Sequence, residues 1–315
     1  MNKIAVLIPC YNEEKTVANV IRDFKKILPE AFIYVFNNNS TDKTAQISES
    51  EGAIVINEYM QGKGNVIRRM FRTIEAESYI IVDGDDTYSA DNAREMINLV
   101  LEHNADMVIG DRLSSTYYSE NKRCFHNFGN DLVKFCINLF FNANIKDVMT
   151  GYRAFSYQFV KTFPVLSKGF EIETEMTIHA LRRRMQVENI VIKYKDRPEG
   201  SESKLNTFSD GFKVIKMIAL MLKNYRPLVF WGYISFVLFL LSIIFAIPVF
   251  SEYVKNGLVL KLPTLIVCGF VMLAALLIFL MGLQLSNQLA KDERDFEFQL
   301  NLVNHWKEER QNEVK

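Results

Sequence analysis

The chain has 315 residues, and its 37 Lys and Arg balance its 37 Asp and Glu. That balance supplies no global field to draw nucleic acid, so any electrostatic function is local. Four scattered cysteines (Cys10, Cys124, Cys136, Cys268) without a CxxC offer no zinc site and no disulfide framework, which fits a reducing compartment.

The opening "MNKIAVLIPCYNEE" has an apolar run of five residues, where a secretory signal needs roughly 7–15. It reads as a first strand, "IAVLI" (4–8). Val17, Val20, Ile21, Phe24 and Leu28 then recur at helical spacing. Further strand candidates are "FIYVF" (32–36), "AIVI" (53–56), "YIIV" (79–82) and "DMVIG" (106–110). "GKG" (62–64) opens a helix carrying Arg68, Arg69 and Arg72. Strands alternating with helices predict an α/β domain with a mostly parallel, Rossmann-like sheet covered on both faces. Each strand ends in polar residues ("PCYNEE", "NNNSTD", "DGDDTY", "GDR"), which gathers the chemistry at the carboxyl edge, where such sheets bind ligands. No GxGxxG follows the first strand and no Walker pattern occurs, so neither a dinucleotide nor a P-loop site is expected there.

"YIIVDGDDTY" places three carboxylates within four positions at a strand end. Side chains at i and i+2 of an extended segment point the same way, so Asp83 and Asp85 can converge. Two carboxylates at an open rim suit Mg²⁺ or Mn²⁺, which complete their shell with water and substrate phosphate. Capping and turn roles are the alternative for such residues.

The region 111–207 is less regular, and 208–226 reads as an interfacial amphipathic helix, with Phe208, Phe212, Ile215, Ala219 and Leu222 on one face. No charge occurs in 227–250 or in 262–287. A helix needs roughly 20 apolar residues to cross a ~30 Å hydrocarbon core, so both segments qualify as spans. The connector 251–261 is short, which makes them a hairpin, and 288–315 is a charged tail. Lys213, Lys216, Lys223 and Arg226 precede the hairpin and Lys291 and Arg294 follow it, against Lys255 and Lys261 in the connector. This bias predicts a multi-pass plasma-membrane protein whose 1–207 domain and tail are cytoplasmic.

"VLIPCYNEEKTV", "NNNSTDKT", "GKGNVIR", "DGDDTY", "GDR", "TGYRAF" and "RPEGSESKL" occur in the order seen in family 2 glycosyltransferases. With the hairpin, the chain resembles the polyprenyl-phosphate glycosyltransferases, such as dolichyl-phosphate mannose synthase and bacterial undecaprenyl-phosphate glucose and N-acetylglucosamine synthases. The likeness covers about residues 3–207 and extends loosely through the hairpin. It implies a GT-A fold, a nucleotide-sugar donor, Mg²⁺ or Mn²⁺, a polyprenyl-phosphate acceptor at the lipid bilayer and a homo-oligomer. By motif, Pro9, Tyr11, Glu13, Asn37 and Asn38 line the base pocket, and Lys63 also contacts the nucleotide. Asp83 lies near the ribose, and Asp85, with Asp83, holds the metal, the further position falling to Thr87, Asp86 or water. Arg112, Arg123, Arg197 and Lys204 as a group contact phosphate, with a surface ion pair the alternative for each alone.

Two departures stand out: Asn37 and Asn38 replace the family's Asp, and Thr87 replaces its Gln. An Asn amide can accept from uracil N3–H and donate to O4, which points to a UDP-sugar of glucose or N-acetylglucosamine. The implied reaction is an inverting transfer to undecaprenyl phosphate for cell-envelope glycan modification. A GDP-mannose-dependent mannosyltransferase and a non-catalytic nucleotide-binding membrane protein are the alternatives. Glu171, Glu173 and Glu175 either position the sugar or form a solvated helix start, and His126 and His179 read as structural.

Overall fold

A computed structural model describes residues 2–114, 124–169, 171–195, 220 and 222–313. Arg123, Arg197, Lys204 and nearly all of the expected interfacial helix 208–226 lie outside the described residues. The chain divides into two compact units, Met1–Phe208 with Phe298–Lys315, and Ser209–Glu297.

The first unit is built on β1 (Asn2–Cys10), α1 (Val17–Ile27), β2 (Phe32–Asn37), α2 (Thr44–Ser50), β3 (Ile54–Asn57) and α3 (Lys63–Thr73). It continues through β4 (Ala76–Ile81), α4 (Ala93–Leu101), β5 (Met107–Asp111), α5 (Cys124–Phe141), β6 (Arg153–Ser156), α6 (Tyr157–Thr162), α7 (Ile172–Arg182) and β7 (Val187–Val191). The seven strands form one sheet in the order β3-β2-β1-β4-β6-β5-β7. Every pairing is parallel except those of β6, which runs antiparallel between β4 and β5. Six strands therefore deliver their carboxyl ends to one edge, and β6 begins at that edge.

Residues 4–8 of β1 are all buried, so the central strand is covered on both faces and reads as an unbroken apolar run. The helical spacing of α1 has its expected result: Val17, Val20, Ile21 and Phe24 face the core. Leu28 follows as the buried C-cap, and the Phe24 ring meets Tyr152 edge-on at 6.0 Å. Removing a ring so placed costs about 3–5 kcal/mol.

The second unit contains α8 (Pro227–Asn256) and most of α9 (Leu262–Glu313). Both helices are long and apolar enough to cross a membrane, with mean hydropathy of 2.6 and 2.8 over their most apolar windows. Only 17% of each window is buried, the reverse of a soluble core helix. Ser235 and Ser242 donate to the carbonyls of Ala275 and Cys268 at 2.7 and 2.8 Å, pinning the two helices together at heptad spacing. The expected connector 251–261 is shorter in the structure. Nothing after Phe250 breaks the helix until Gly257, which ends it with φ +67°. α9 continues without a break, Val303 is buried, and Arg310 reaches Glu75 before β4 at 2.6 Å.

Candidate active site

The first two loops at the carboxyl edge are stitched to each other. Asn12 N–H donates to Ser40 Oγ (3.0 Å), Thr41 N–H to Asn12 Oδ1 (2.8 Å) and Glu13 N–H to Thr44 Oγ1 (2.8 Å). Asn12 and Asn39 hold left-handed backbone, with φ of 57° and 60°, a conformation asparagine tolerates. Thr16 Oγ1 ties these loops to the end of β4 by donating to Gly84 O (2.7 Å) and to Glu13 Oε2 (3.2 Å). Pro9, Tyr11 and Glu13 are thus brought beside the "DGDDTY" loop, with the Tyr11 ring exposed. Burial pushes the Cys10 thiol up, reinforced by Glu13, Asp83 and Asp85, so it stays protonated among these carboxylates.

Both asparagines are engaged by neighbouring loops. Asn38 is buried and donates its amide protons to the carbonyls of Glu58 (2.8 Å) and Met60 (2.9 Å). Its Oδ1 accepts from Gly62 N–H (2.8 Å). Asn37 donates to Asn57 Oδ1 (2.9 Å) and accepts from Ser40 N–H (3.1 Å). The Asn38 amide clamps the segment 58–62, spending both of its protons on backbone carbonyls. The substitution has a local cause: a carboxylate could not donate to two carbonyls.

That clamp fixes the start of α3 and its first residue, Lys63. Lys63 Nζ stands 2.6 Å from Asp83 Oδ1 and 2.7 Å from Glu173 Oε1 of α7. Burial alone would lower the ammonium pKa, but the two carboxylates outweigh it and hold it above its ordinary value. Burial raises the Glu173 carboxyl, against the attraction of Lys63. Glycine before Tyr152 leaves room for this pairing, because a Cβ on Gly151 would fall 2.3 Å from Asp83 Oδ2 and displace that carboxylate. Gly151 N–H donates to Tyr88 Oη at 3.2 Å, joining the segment before β6 to the "DGDDTY" loop.

Asp85 has other partners than Asp83. Its Oδ1 accepts from the Thr87 hydroxyl at 2.7 Å and the Thr87 N–H at 3.3 Å, and both residues are buried. A carboxylate and a hydroxyl oxygen side by side are hard donors that suit Mg²⁺ or Mn²⁺. Among the described residues no group of three or more His, Cys, Asp or Glu is arranged to hold a metal.

Arg112, expected at a phosphate, forms a buried ion pair. Its Nε donates to Asp147 Oδ2 (2.8 Å), its Nη2 to Met149 O (3.1 Å), and its Cζ lies 5.9 Å from the Tyr194 ring centroid. Arg153, fully buried at the start of β6, donates to Thr150 O, Val148 O and Thr177 Oγ1 at 3.1, 2.6 and 2.8 Å. Burial lowers its pKa to about 10, which leaves it protonated. Both arginines shape the loop 147–150 at the edge. Asp147, Arg153 and the Lys63–Glu173 pairing escaped sequence reasoning, although "TGYRAF" marked the segment. The three acids of "GFEIETEM" differ in setting: Glu173 is buried, Glu175 half-buried and Glu171 exposed at the helix N-cap. Glu173 meets Lys63, Glu175 accepts from Leu166 and Ser167 N–H at 3.1 and 2.9 Å, and Glu171 accepts from Gly169 N–H at 3.4 Å.

Residues 5–163 match the family described as "Glycosyl transferase family 2". The glycosyltransferase AglJ of Haloferax volcanii is 31% identical over 236 residues, covering 74% of this chain and 76% of that one. A dolichyl-phosphate hexose transferase of the same organism is 26% identical over 215 residues, 68% of this chain and 92% of that one. The crystal structure of glucosyl-3-phosphoglycerate synthase from Mycobacterium tuberculosis with Mn²⁺, uridine diphosphate and phosphoglyceric acid has a TM-score of 0.55. At 18% identity, over 70% of this chain and 78% of that one, the likeness is one of fold, and the fold is GT-A-like. With a family match across half of its length and AglJ alongside, this chain is a glycosyltransferase that belongs to glycosyl transferase family 2.

Proposed function

We propose that the protein transfers a hexose from a UDP-sugar to a polyprenyl phosphate at the cytoplasmic face of a membrane, with Mg²⁺ or Mn²⁺ at Asp85 and Thr87. One observation carries this reading: a carboxylate-rich GT-A edge and two helices of spanning length occur in one chain. A relative named as a dolichyl-phosphate hexose transferase supports the lipid-phosphate acceptor, and a neighbour of like fold crystallised with Mn²⁺ and uridine diphosphate supports the donor and metal. Glucose or N-acetylglucosamine remains the preferred sugar. Family membership sets aside the non-catalytic alternative.

The chemistry is a single displacement. An acceptor phosphate oxygen attacks the anomeric carbon, the bond to the nucleoside diphosphate breaks, and the configuration inverts. A phosphate monoester with a second pKa near 6 is already anionic, so no base is required. The protein instead brings together two molecules that repel each other. Tyr11 and Glu13 border the base, Asp83 accepts from ribose hydroxyls, and Lys63 faces the diphosphate. Arg123, Arg197 and Lys204 meet the acceptor phosphate, while Arg112 positions the loop 147–150. Asp85 and Thr87 would hold a divalent ion, which would supply charge neutralisation for the leaving diphosphate.

Purified protein in detergent, given undecaprenyl phosphate, Mn²⁺ and radiolabelled UDP-glucose, UDP-N-acetylglucosamine or GDP-mannose in turn, tests the reading. Label is expected in the organic extract with a UDP-sugar and is lost on chelation. Label with GDP-mannose alone assigns the donor to the alternative, and no label with any donor contradicts the proposal.

A further inference from the structure

We propose that Glu173 is a positioning residue for donor binding: it anchors the Lys63 ammonium, and the donor diphosphate replaces Asp83 as that ammonium's other carboxylate-side partner. The inference rests on the donor reading above.

The two carboxylates around Lys63 Nζ are equally near, at 2.6 and 2.7 Å, but they are not equally placed. The Asp83 side chain is 26% exposed and Glu173 only 5%, with Lys63 between them at 9%. Asp83 is therefore the partner at the opening and Glu173 the one at the floor. Two negative charges share one positive charge, so an arriving diphosphate meets repulsion from Asp83 unless the ammonium turns to it. An ammonium on a flexible stem can rotate its donors from one oxygen to another. Asp83, once released, is an acceptor-only group ready for hydroxyl donors such as those of ribose.

Glu173 cannot make the same exchange. It lies in the first turn of α7, where Ile172, Thr174, Met176 and Thr177 are buried around it. Two residues on, Glu175 holds the backbone of Leu166 and Ser167, and the next residue, Lys168, accepts through its carbonyl from Gly64 N–H at 3.1 Å. One turn of α7 thus fixes both the lysine's ammonium and the loop lying over the start of α3. On the other side, the Gly62 N–H bond to Asn38 fixes the lysine's backbone.

Calorimetry on the full chain in detergent with Mn²⁺ tests this, using UDP, GDP and inorganic pyrophosphate as probes. If the wild type binds neither nucleotide, the donor reading fails and this inference falls with it. Where it binds, Glu173→Gln is expected to weaken UDP at least about tenfold. Donor KM should rise by the same factor, with kcat at saturating donor within about threefold of wild type. In a Lys63→Met background the Glu173→Gln effect disappears. That double variant leaves no unpaired charge in the pair, so it remains informative if Glu173→Gln alone does not fold. Pyrophosphate lacks ribose, and Asp83→Asn is expected to bind it more tightly than wild type. Equal UDP binding by wild type and Glu173→Gln overturns the proposal. So does an effect of Glu173→Gln that persists without Lys63, or weaker pyrophosphate binding by Asp83→Asn. Each of these leaves the donor reading intact.

Discussion

Asn38 and Glu173 show how far a residue's surroundings can depart from its type. Asn38 was legible as a departure from the family's Asp, but its partners are backbone groups 20 to 24 positions away, which no local pattern reveals. Replacing it with Asp places a carboxylate against two carbonyls. Asn38→Asp is expected to lower stability by about 1–3 kcal/mol, read from thermal unfolding of the detergent-solubilised chain. Unchanged stability with a switched donor preference would instead place Asn38 at the base pocket. Glu173 has the composition signal of a helix N-terminus, where acids favour the macrodipole. Its burial depends on Lys63, 110 residues earlier, and burial is not written in an E-x-E-x-E pattern.

At the scale of elements, the alternation of apolar runs and helical periods located β1 to β5 and α1 in sequence, because each carries an apolar run or a helical period bounded by polar residues. β6 and β7 were not legible. β6 has four residues and opens on Arg153, a charge whose burial becomes acceptable through the carbonyls of Val148 and Thr150 and the Thr177 hydroxyl. α7 carries a second consequence of burial. His179 lies against the Phe159 and Phe163 rings, and burial, aided by Arg183 and Arg182, lowers its pKa to about 3. An unfolded His titrates near 6.5, so below that pH the unfolded chain takes up a proton that the folded chain refuses. Stability is full above about pH 6.5 and falls towards pH 3, by about 2 kcal/mol at pH 5. A series of melting temperatures from pH 7 to 5 should show a shallower acid slope in His179→Phe than in wild type. Parallel slopes would mean that His179 is protonated in the fold.

On the scale of the whole molecule, the uneven distribution of hydrophobicity mattered more than its average. Charge-free runs marked the hairpin, while Gly257 rather than the first polar residue sets its turn. The return of the tail to Glu75 was not legible, because a single Arg310 among many tail charges carries no signal of its partner. A membrane anchor accords with the proposed acceptor. Each prenyl CH₂ is worth about 0.8 kcal/mol in lipid, so such a substrate stays in the bilayer and the enzyme must come to it. In the proposed reading, the cation bias around the hairpin assigns the GT-A edge to the cytoplasmic side.

The most direct measurement is mass spectrometry of the lipid extract after incubating purified protein with undecaprenyl phosphate, Mn²⁺ and the donor panel, for wild type and Asp85→Asn in parallel. Asp85→Asn keeps an oxygen for Thr87, so its melting temperature should match wild type. The account predicts undecaprenyl phosphate bearing one hexose or N-acetylhexosamine with wild type, and at least about a hundredfold less with Asp85→Asn. A wild-type extract without sugar-modified lipid for any donor, or an equal yield from both proteins, would contradict it.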